Sequence, residues 1–387
     1  MITNRAKNIP PFIVMDIMEK AQQMERAGQH IIHMEIGEPD FDTPDCIKAA
    51  GQRAIAEGQT HYTHSQGILE LREGIAEHYL NRYGVEVSPD NIIISSGTSP
   101  AMFMIFSALL EVGDEVILSN PHYACYPNFV SFFKAKPIFV NVDEADGFQY
   151  RPKDIESCLT DRTRAVFINS PANPTGTLLS PERMRRIADI SPLVISDEIY
   201  HGLVYGDAQE HSILEFTDRA VVINGFSKMY AMTGWRLGYI IAPPEFIRPI
   251  QKIQQNFFIS ASSVSQAAGV AALREAGPDV ARMRVIYDER RRFLIQGLRR
   301  LGFKIQVEPL GAFYVLINAR HLNPDSYQLA FDILERAHVG VTPGIDFGEN
   351  AEGYLRISYA TSKENIAEGL RRLGDYIETC GPARPQN

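Results

Sequence analysis

Short apolar segments, separated by stretches of helical pattern, constrain this chain more than any other feature. They are Asn91-Ile92-Ile93-Ile94-Ser95-Ser96, Glu115 to Ser119, Ala165 to Ser170, Leu193 to Ser196 and Ala220 to Asn224. Leu237 to Ile241 adds another. Strands of this kind are buried on both faces, and alternation with helices calls for a mainly parallel sheet covered by helices. The helical stretches carry their own punctuation. Val14 to Ala27 reads as an amphipathic helix stopped by Gly28. Thr43-Pro44-Asp45 reads as a helix start, with Thr43 as cap and Pro44 at the first helical position. The strand ending at Ser96 breaks at Gly97-Thr98-Ser99-Pro100 into a helix running to about Leu110.

After Pro243 the pattern turns helical, with a long charged helix over roughly Pro278 to Leu301. Strands at Ala312 to Ile317 and Tyr354 to Ser358 follow, with helices at Ser326 to Ala337 and Lys363 to Thr379. The 387 residues exceed what one small domain holds. The expectation is an α/β chain with a large domain over 45–285 and a smaller one built from both ends, 1–44 with 286–387. The tail after Cys380 reads as frayed.

Lys and Arg number 38 against 47 Asp and Glu, a formal charge of −9. That balance argues against a nucleic-acid or anionic-membrane partner. Cys46, Cys125, Cys158 and Cys380 are scattered without a CxxC pair, which points to a reducing compartment. The N-terminus lacks the apolar core of a signal peptide, and no apolar run approaches the roughly 20 residues that span a bilayer. A cytoplasmic location is expected.

The stretch Asn224-Gly225-Phe226-Ser227-Lys228-Met229-Tyr230 continues to Thr233-Gly234-Trp235-Arg236-Leu237-Gly238. A lysine so placed can form a Schiff base, while Ser227 and Arg236 can hold a phosphate beside it. That is the chemical requirement for anchoring pyridoxal phosphate.

Other residues fall at the C-terminal ends of expected strands, where ligands bind in open α/β sheets. Asp197 can pair with a protonated pyridine nitrogen, or cap the helix that follows; Glu198 points elsewhere. Tyr200, three residues on, can donate to the cofactor's phenolate oxygen or simply pack. Asn173, in Ser170-Pro171-Ala172-Asn173-Pro174-Thr175-Gly176, can donate to the same oxygen or only shape a turn. Gly97, Thr98 and Ser99 open a helix whose free N–H groups suit a phosphate, without the glycine spacing of a nucleotide loop. Tyr123 can stack on a ring or start a helix. Arg356 is a lone cation inside an apolar strand. It needs a carboxylate partner, either internal or that of a substrate. His61 and His64 read as loop histidines without a third metal ligand.

Together these motifs closely resemble the class I/II aminotransferases of the fold-type I pyridoxal-phosphate family, over nearly the whole chain from Ile36-Gly37-Glu38-Pro39-Asp40-Phe41 to Tyr354-Leu355-Arg356-Ile357-Ser358. The resemblance implies a seven-stranded, mainly parallel sheet between helices plus a smaller α+β domain. It implies Lys228 as Schiff-base lysine and proton carrier, Asp197 on the pyridine nitrogen, and Tyr200 and Asn173 on the phenolate oxygen. Tyr123 would stack on the ring, and Thr98, Ser99, Ser227 and Arg236 would hold the phosphate. Arg356 would clamp the substrate α-carboxylate with Asn173 and the backbone of Gly37. The family's homodimer implies that Tyr62 reaches the partner's phosphate, and cis bonds are expected at Asn120-Pro121 and Asn173-Pro174.

The implied activity is ping-pong transfer of an amino group from an L-amino acid to a 2-oxo acid such as 2-oxoglutarate or pyruvate. The turn Gly97-Thr98-Ser99-Pro100-Ala101 lacks the lysine that one aspartate-specific branch uses. No arginine of the other branch can be placed in Gln255 to Ser262. The donor therefore stays open among alanine, aspartate, methionine and aromatic amino acids. Phe12, Phe313 and Phe347 are read either as an apolar wall for the donor or as core. The same constellation serves carbon–sulfur lyases, the alternative within the cofactor. A ligand-sensing module of a transcriptional regulator is disfavoured by the absence of an N-terminal basic helix-turn-helix segment.

Overall fold

The structure is a computed structural model that describes residues 1–380. The tail Gly381 to Asn387, expected to fray, lies outside the described residues.

Seven strands form the main sheet: β1 (Ile92–Ser95), β2 (Glu115–Asn120), β3 (Lys136–Asn141), β4 (Thr163–Asn169), β5 (Val194–Asp197), β6 (Ala220–Gly225) and β7 (Gly238–Ile241). Their order is β1-β7-β6-β5-β4-β2-β3. Only β7 runs antiparallel to its neighbours. Every residue of β1, β5, β6 and β7 is buried, because helices cover both faces. The pleat sorts side chains between those two layers: Ile92 and Ile94 enter one core and Ile93 the other. The sequence did not reveal β3. It is a partly exposed edge strand, where Pro137 in Lys136-Pro137-Ile138-Phe139 is tolerated.

A separate core joins the two ends of the chain. Ile17, Ala21 and Met24 of the Ile13–Arg26 helix pack with Leu294, Leu298, Ile333 and Leu370. Here β8 (Tyr314–Asn318), β9 (Thr342–Pro343) and β10 (Tyr354–Ser358) form an antiparallel sheet in the order β9-β10-β8. The short strand Ile32–His33 adds in parallel to Val339–Gly340. The Gly277–Arg300 helix serves both cores, giving Val280 and Met283 to the sheet and Leu294 and Leu298 to the other. The boundary expected near 285 therefore falls inside one continuous helix.

One expected cap is corrected. The helix Asp45–Ala56 takes Pro44, not Thr43, as its N-cap. Thr43 Oγ1 instead donates to the Ala231 carbonyl at 2.6 Å and accepts from Trp235 Nε1 at 3.1 Å. A tertiary contact has claimed the hydroxyl. The Asn120-Pro121 and Asn173-Pro174 bonds are cis as expected, and Ser170-Pro171 is cis as well. Among the described residues no helix is long and apolar enough to cross a membrane.

Candidate active site

The ends of β1, β2, β4, β5 and β6 open on one cleft of about 410 Å³, roofed by the start of the Ile13–Arg26 helix. It collects Gly37, Thr98, Ser99, Tyr123, Asn173, Asp197, Tyr200, Ser227, Lys228, Arg236 and Arg356.

At one end β1 turns through Gly97 (φ 97°) into the helix Thr98–Leu109, which has no side-chain cap. Its first N–H groups are thus left for an anion. A Cβ on Gly97 would lie 2.6 Å from Arg236 Nη2, so glycine is what lets the guanidinium close on this helix end. Arg236 is itself left-handed (φ 53°), and its Nη1 donates to the Thr233 carbonyl at 3.0 Å. A helix N-terminus, a guanidinium and the hydroxyl residues Thr98, Ser99 and Ser227 make a cradle suited to a phosphate.

Lys228 follows β6, and its Nζ donates to the Gly37 carbonyl at 2.7 Å. Burial lowers its pKa to about 8, aided by Arg356 and Arg236 and opposed by Glu38 and Asp197. At neutral pH a useful fraction of the amine is therefore unprotonated and nucleophilic. Gly37 is sterically required, since a Cβ there would stand 2.4 Å from the Tyr314 hydroxyl. The observed role of its backbone is acceptance from Lys228.

Asp197 closes β5. Its Oδ2 accepts from the Tyr126 hydroxyl at 2.7 Å, and its Oδ1 accepts from the Ile199 N–H at 3.1 Å. Burial pushes its pKa up to about 6 against those two hydrogen bonds. It remains an anion at neutral pH, buried beside the cleft without a cation bonded to it among the described residues, and a protonated ring nitrogen would complete it. The Asp197 hydrogen bonds also answer the capping alternative: Oδ1 does cap the turn that follows, while Oδ2 stays with Tyr126. Glu198 points away, accepting from Tyr79, Ser212, Ser196 and the Ile213 N–H.

Tyr200 and Asn173 meet at 3.5 Å (Nδ2 to hydroxyl). The Tyr200 hydroxyl also lies 2.9 Å from that of Tyr314. Arg356 donates from Nη1 to Asn173 Oδ1 at 2.9 Å, and from Nη2 to the Glu35 carbonyl at 2.6 Å and Thr342 Oγ1 at 3.1 Å. Its Nε has no partner, and no ion pair to it occurs among the described residues. The guanidinium lies 4.3 Å from the Tyr314 ring and 4.9 Å from that of Phe347. A buried cation met only by neutral oxygens and aromatic rings is arranged for an incoming anion.

Tyr123 lines the cleft and makes edge contacts with Phe12 and Tyr126 at 5.8 and 5.3 Å. Tyr62 lies outside this cleft, with its side chain 81% exposed. Of the three phenylalanines considered for an apolar wall, Phe12 lines the cleft. Phe313 and Phe347 do not. Both are fully buried, Phe313 against Tyr200 and Tyr287 and Phe347 beneath Arg356. Sequence reasoning missed Tyr126 and Tyr314. Tyr126 carried a faint signal, lying one helical turn after Tyr123.

The phosphate cradle, the amine of Lys228, the buried anion Asp197 and the unanswered Arg356 fit pyridoxal phosphate and an amino acid. The family model for aminotransferase class I and II matches residues 29–373. The chain is a class I/II aminotransferase. The aminotransferase is 43% identical to a (5-formylfuran-3-yl)methyl phosphate transaminase of Methanocaldococcus jannaschii, over 97% of this chain and all of the relative. An aspartate aminotransferase of Pyrococcus horikoshii is 39% identical, with 94% of each chain covered. The structure of the Thermus thermophilus aspartate aminotransferase with maleate superposes with a TM-score of 0.93 at 36% identity, covering 97% of this chain and 99% of that one. The aminotransferase uses pyridoxal 5′-phosphate to move an amino group between amino and 2-oxo acids. Bound, the cofactor supplies the electron sink that stabilises negative charge at the substrate α-carbon.

Proposed function

We propose the following division of labour in the cleft. Lys228 anchors the cofactor, then removes the substrate α-proton and returns it on the cofactor side. Its lowered pKa suits both tasks. Asp197 holds a proton on the ring nitrogen, with Tyr126 fixing the carboxylate. Tyr200 and Asn173 donate to the phenolic oxygen, and Tyr123 stacks on the ring. Gly97, Thr98, Ser99, Ser227 and Arg236 bind the phosphate. Arg356, steadied by Asn173, takes the α-carboxylate. Gly37 positions Lys228 through its carbonyl and holds the substrate side of the cleft close to Tyr314.

The observation that carries this reading is Arg356. A buried guanidinium that forms no ion pair among the described residues and leaves its Nε free, facing the same cleft as Lys228, calls for a substrate carboxylate. The working unit is a homodimer, in which Tyr62 of one copy reaches the phosphate of the other; its exposure and its absence from its own cleft support this. The separate cores support two domains, 45–285 and the paired ends 1–44 and 286–387. A cytoplasmic location accords with the scattered cysteines.

The test is an absorbance titration of the cofactor-loaded enzyme with single amino acids and no 2-oxo acid. Loss of the cofactor's visible band, reversed by 2-oxoglutarate or pyruvate, is expected. Release of pyruvate from cysteine or cystathionine without any acceptor would move the site to carbon–sulfur elimination.

A further inference from the structure

The Ile13–Arg26 helix has two apolar faces. Ile17, Ala21 and Met24 are buried in the core shared with β8 and β10. Phe12, Met15 and Met18, spaced by three, form a second stripe that lines the cleft. Met15 is 42% exposed. Packing does not explain this stripe, because the helix already buries its other face.

The helix is also fixed with care. Phe12 provides no side-chain cap. Asp346 replaces it from the far end of the chain, accepting from the Ile13 N–H at 3.0 Å and the Val14 N–H at 3.3 Å. Phe347, its neighbour, lies 4.9 Å from the Arg356 guanidinium. The apolar stripe and the carboxylate clamp thus hang on one turn.

The cleft's charges are Glu38, Asp197, Lys228, Arg236 and Arg356. Arg236 belongs to the phosphate end and Arg356 to the α-carboxylate. No cation among these lining residues remains for a second carboxylate. Glu38, bonded to Thr233, would repel one.

We propose that Phe12, Met15 and Met18 form the pocket for the donor's side chain, so that this aminotransferase selects L-amino acids with aromatic or long apolar side chains over dicarboxylic ones. This rests on the assignment of Arg356 and Lys228 above. A distal carboxylate in this pocket would lose its water against a thioether and a ring, with no partner in return. Methionine also adapts to side chains of differing shape.

The test follows the donor half-reaction alone, by the absorbance of the cofactor-loaded enzyme, with L-phenylalanine, L-methionine, L-alanine and L-aspartate. Phenylalanine and methionine should react with kcat/KM about 100-fold above aspartate. Phe12→Ala and Met18→Ala should each lower the phenylalanine-to-alanine ratio of kcat/KM about tenfold. Both positions are partly exposed, so the variants should fold, as a thermal melt would verify. Aspartate reacting as well as phenylalanine, or an unchanged ratio in both variants, would overturn the proposal while leaving the site assignment intact. Failure of every donor with the unaltered enzyme would remove the assignment, and the proposal with it.

Discussion

Gly97 and Arg236 meet only because position 97 has no side chain: a Cβ there would stand 2.6 Å from the guanidinium Nη2. The residue is also at φ 97°, where an L side chain is strained. Gly97→Ala should therefore displace Arg236 from the helix end and weaken cofactor binding. Loss of one charge-assisted hydrogen bond corresponds to about 1.5–3 kcal/mol, or roughly 10- to 100-fold in affinity. Titration of the cofactor-free variant with pyridoxal phosphate measures it, and an unchanged Kd would show that Arg236 does not meet the phosphate.

Lys228 is expected to be indispensable to chemistry but not to cofactor retention, since the phosphate cradle and Asp197 do not depend on it. Lys228→Ala should abolish transamination and still bind the cofactor non-covalently. Normal turnover by that variant would remove Lys228 from its proposed role.

Arg356 offers a contrast between function and stability. Arg356→Met should raise the KM for amino acids by an amount equivalent to about 2–5 kcal/mol, as when a desolvated charge pair loses one member. It should change the melting temperature of the cofactor-free protein by only a few degrees, because loss of the hydrogen bonds to Asn173, the Glu35 carbonyl and Thr342 is offset by removal of a buried charge. A large fall in stability with unchanged KM would mean that the arginine is structural.

Tyr126 holds Asp197 by a 2.7 Å hydrogen bond that lowers the carboxyl's pKa. In Tyr126→Phe that pKa should rise further, from about 6 toward neutrality. The acid limb of the kcat/KM profile of the loaded enzyme should then move to higher pH, with activity at neutral pH down by at most about twofold. An unmoved acid limb would show that Asp197 does not govern it.

His33 stands between two carboxylates, 2.6 Å from Glu35 Oε1 and 3.2 Å from Glu25 Oε1. The bond to the fully buried Glu35, helped by Glu25 and opposed by burial, raises its pKa from 6.5 to about 9. A folded value above the unfolded one contributes stability that is complete below pH 6.5 and is lost as pH rises through about 9. Against His33→Gln, the unaltered protein should be more stable at pH 6 by on the order of 2 kcal/mol, with the gap closing by pH 10. Urea denaturation at several pH values measures it, and parallel curves would dismiss the pair. The Glu35 carbonyl receives Arg356 Nη2 at 2.6 Å, so this pair also braces the clamp.

The local pattern of the chain determined a good deal. The apolar segments that became β1, β2, β4, β5 and β6 were legible because strands buried on both faces carry no polar alternation. Ser326–Ala337 and Tyr354–Ser358 were read to the residue. The placement of Asp197, Asn173, Tyr123 and Lys228 beyond strand ends followed from that reading, because the carboxyl edge of such a sheet is where ligands lie. What the sequence left open was decided by contacts between distant positions. That Arg356 meets neutral oxygens instead of an internal carboxylate was decided by groups far from it in the chain, namely the Glu35 carbonyl and the side chains of Asn173 and Thr342. Phe313 and Phe347 were drawn into the core while Phe12 stayed in the cleft, a sorting set by packing rather than by residue type. Asp346 came to cap a helix 333 residues away, and Thr43 gave up its cap to reach Ala231. Pattern along a chain records which face of an element is apolar; only the folded chain settles which other element that face, or a free donor, will meet.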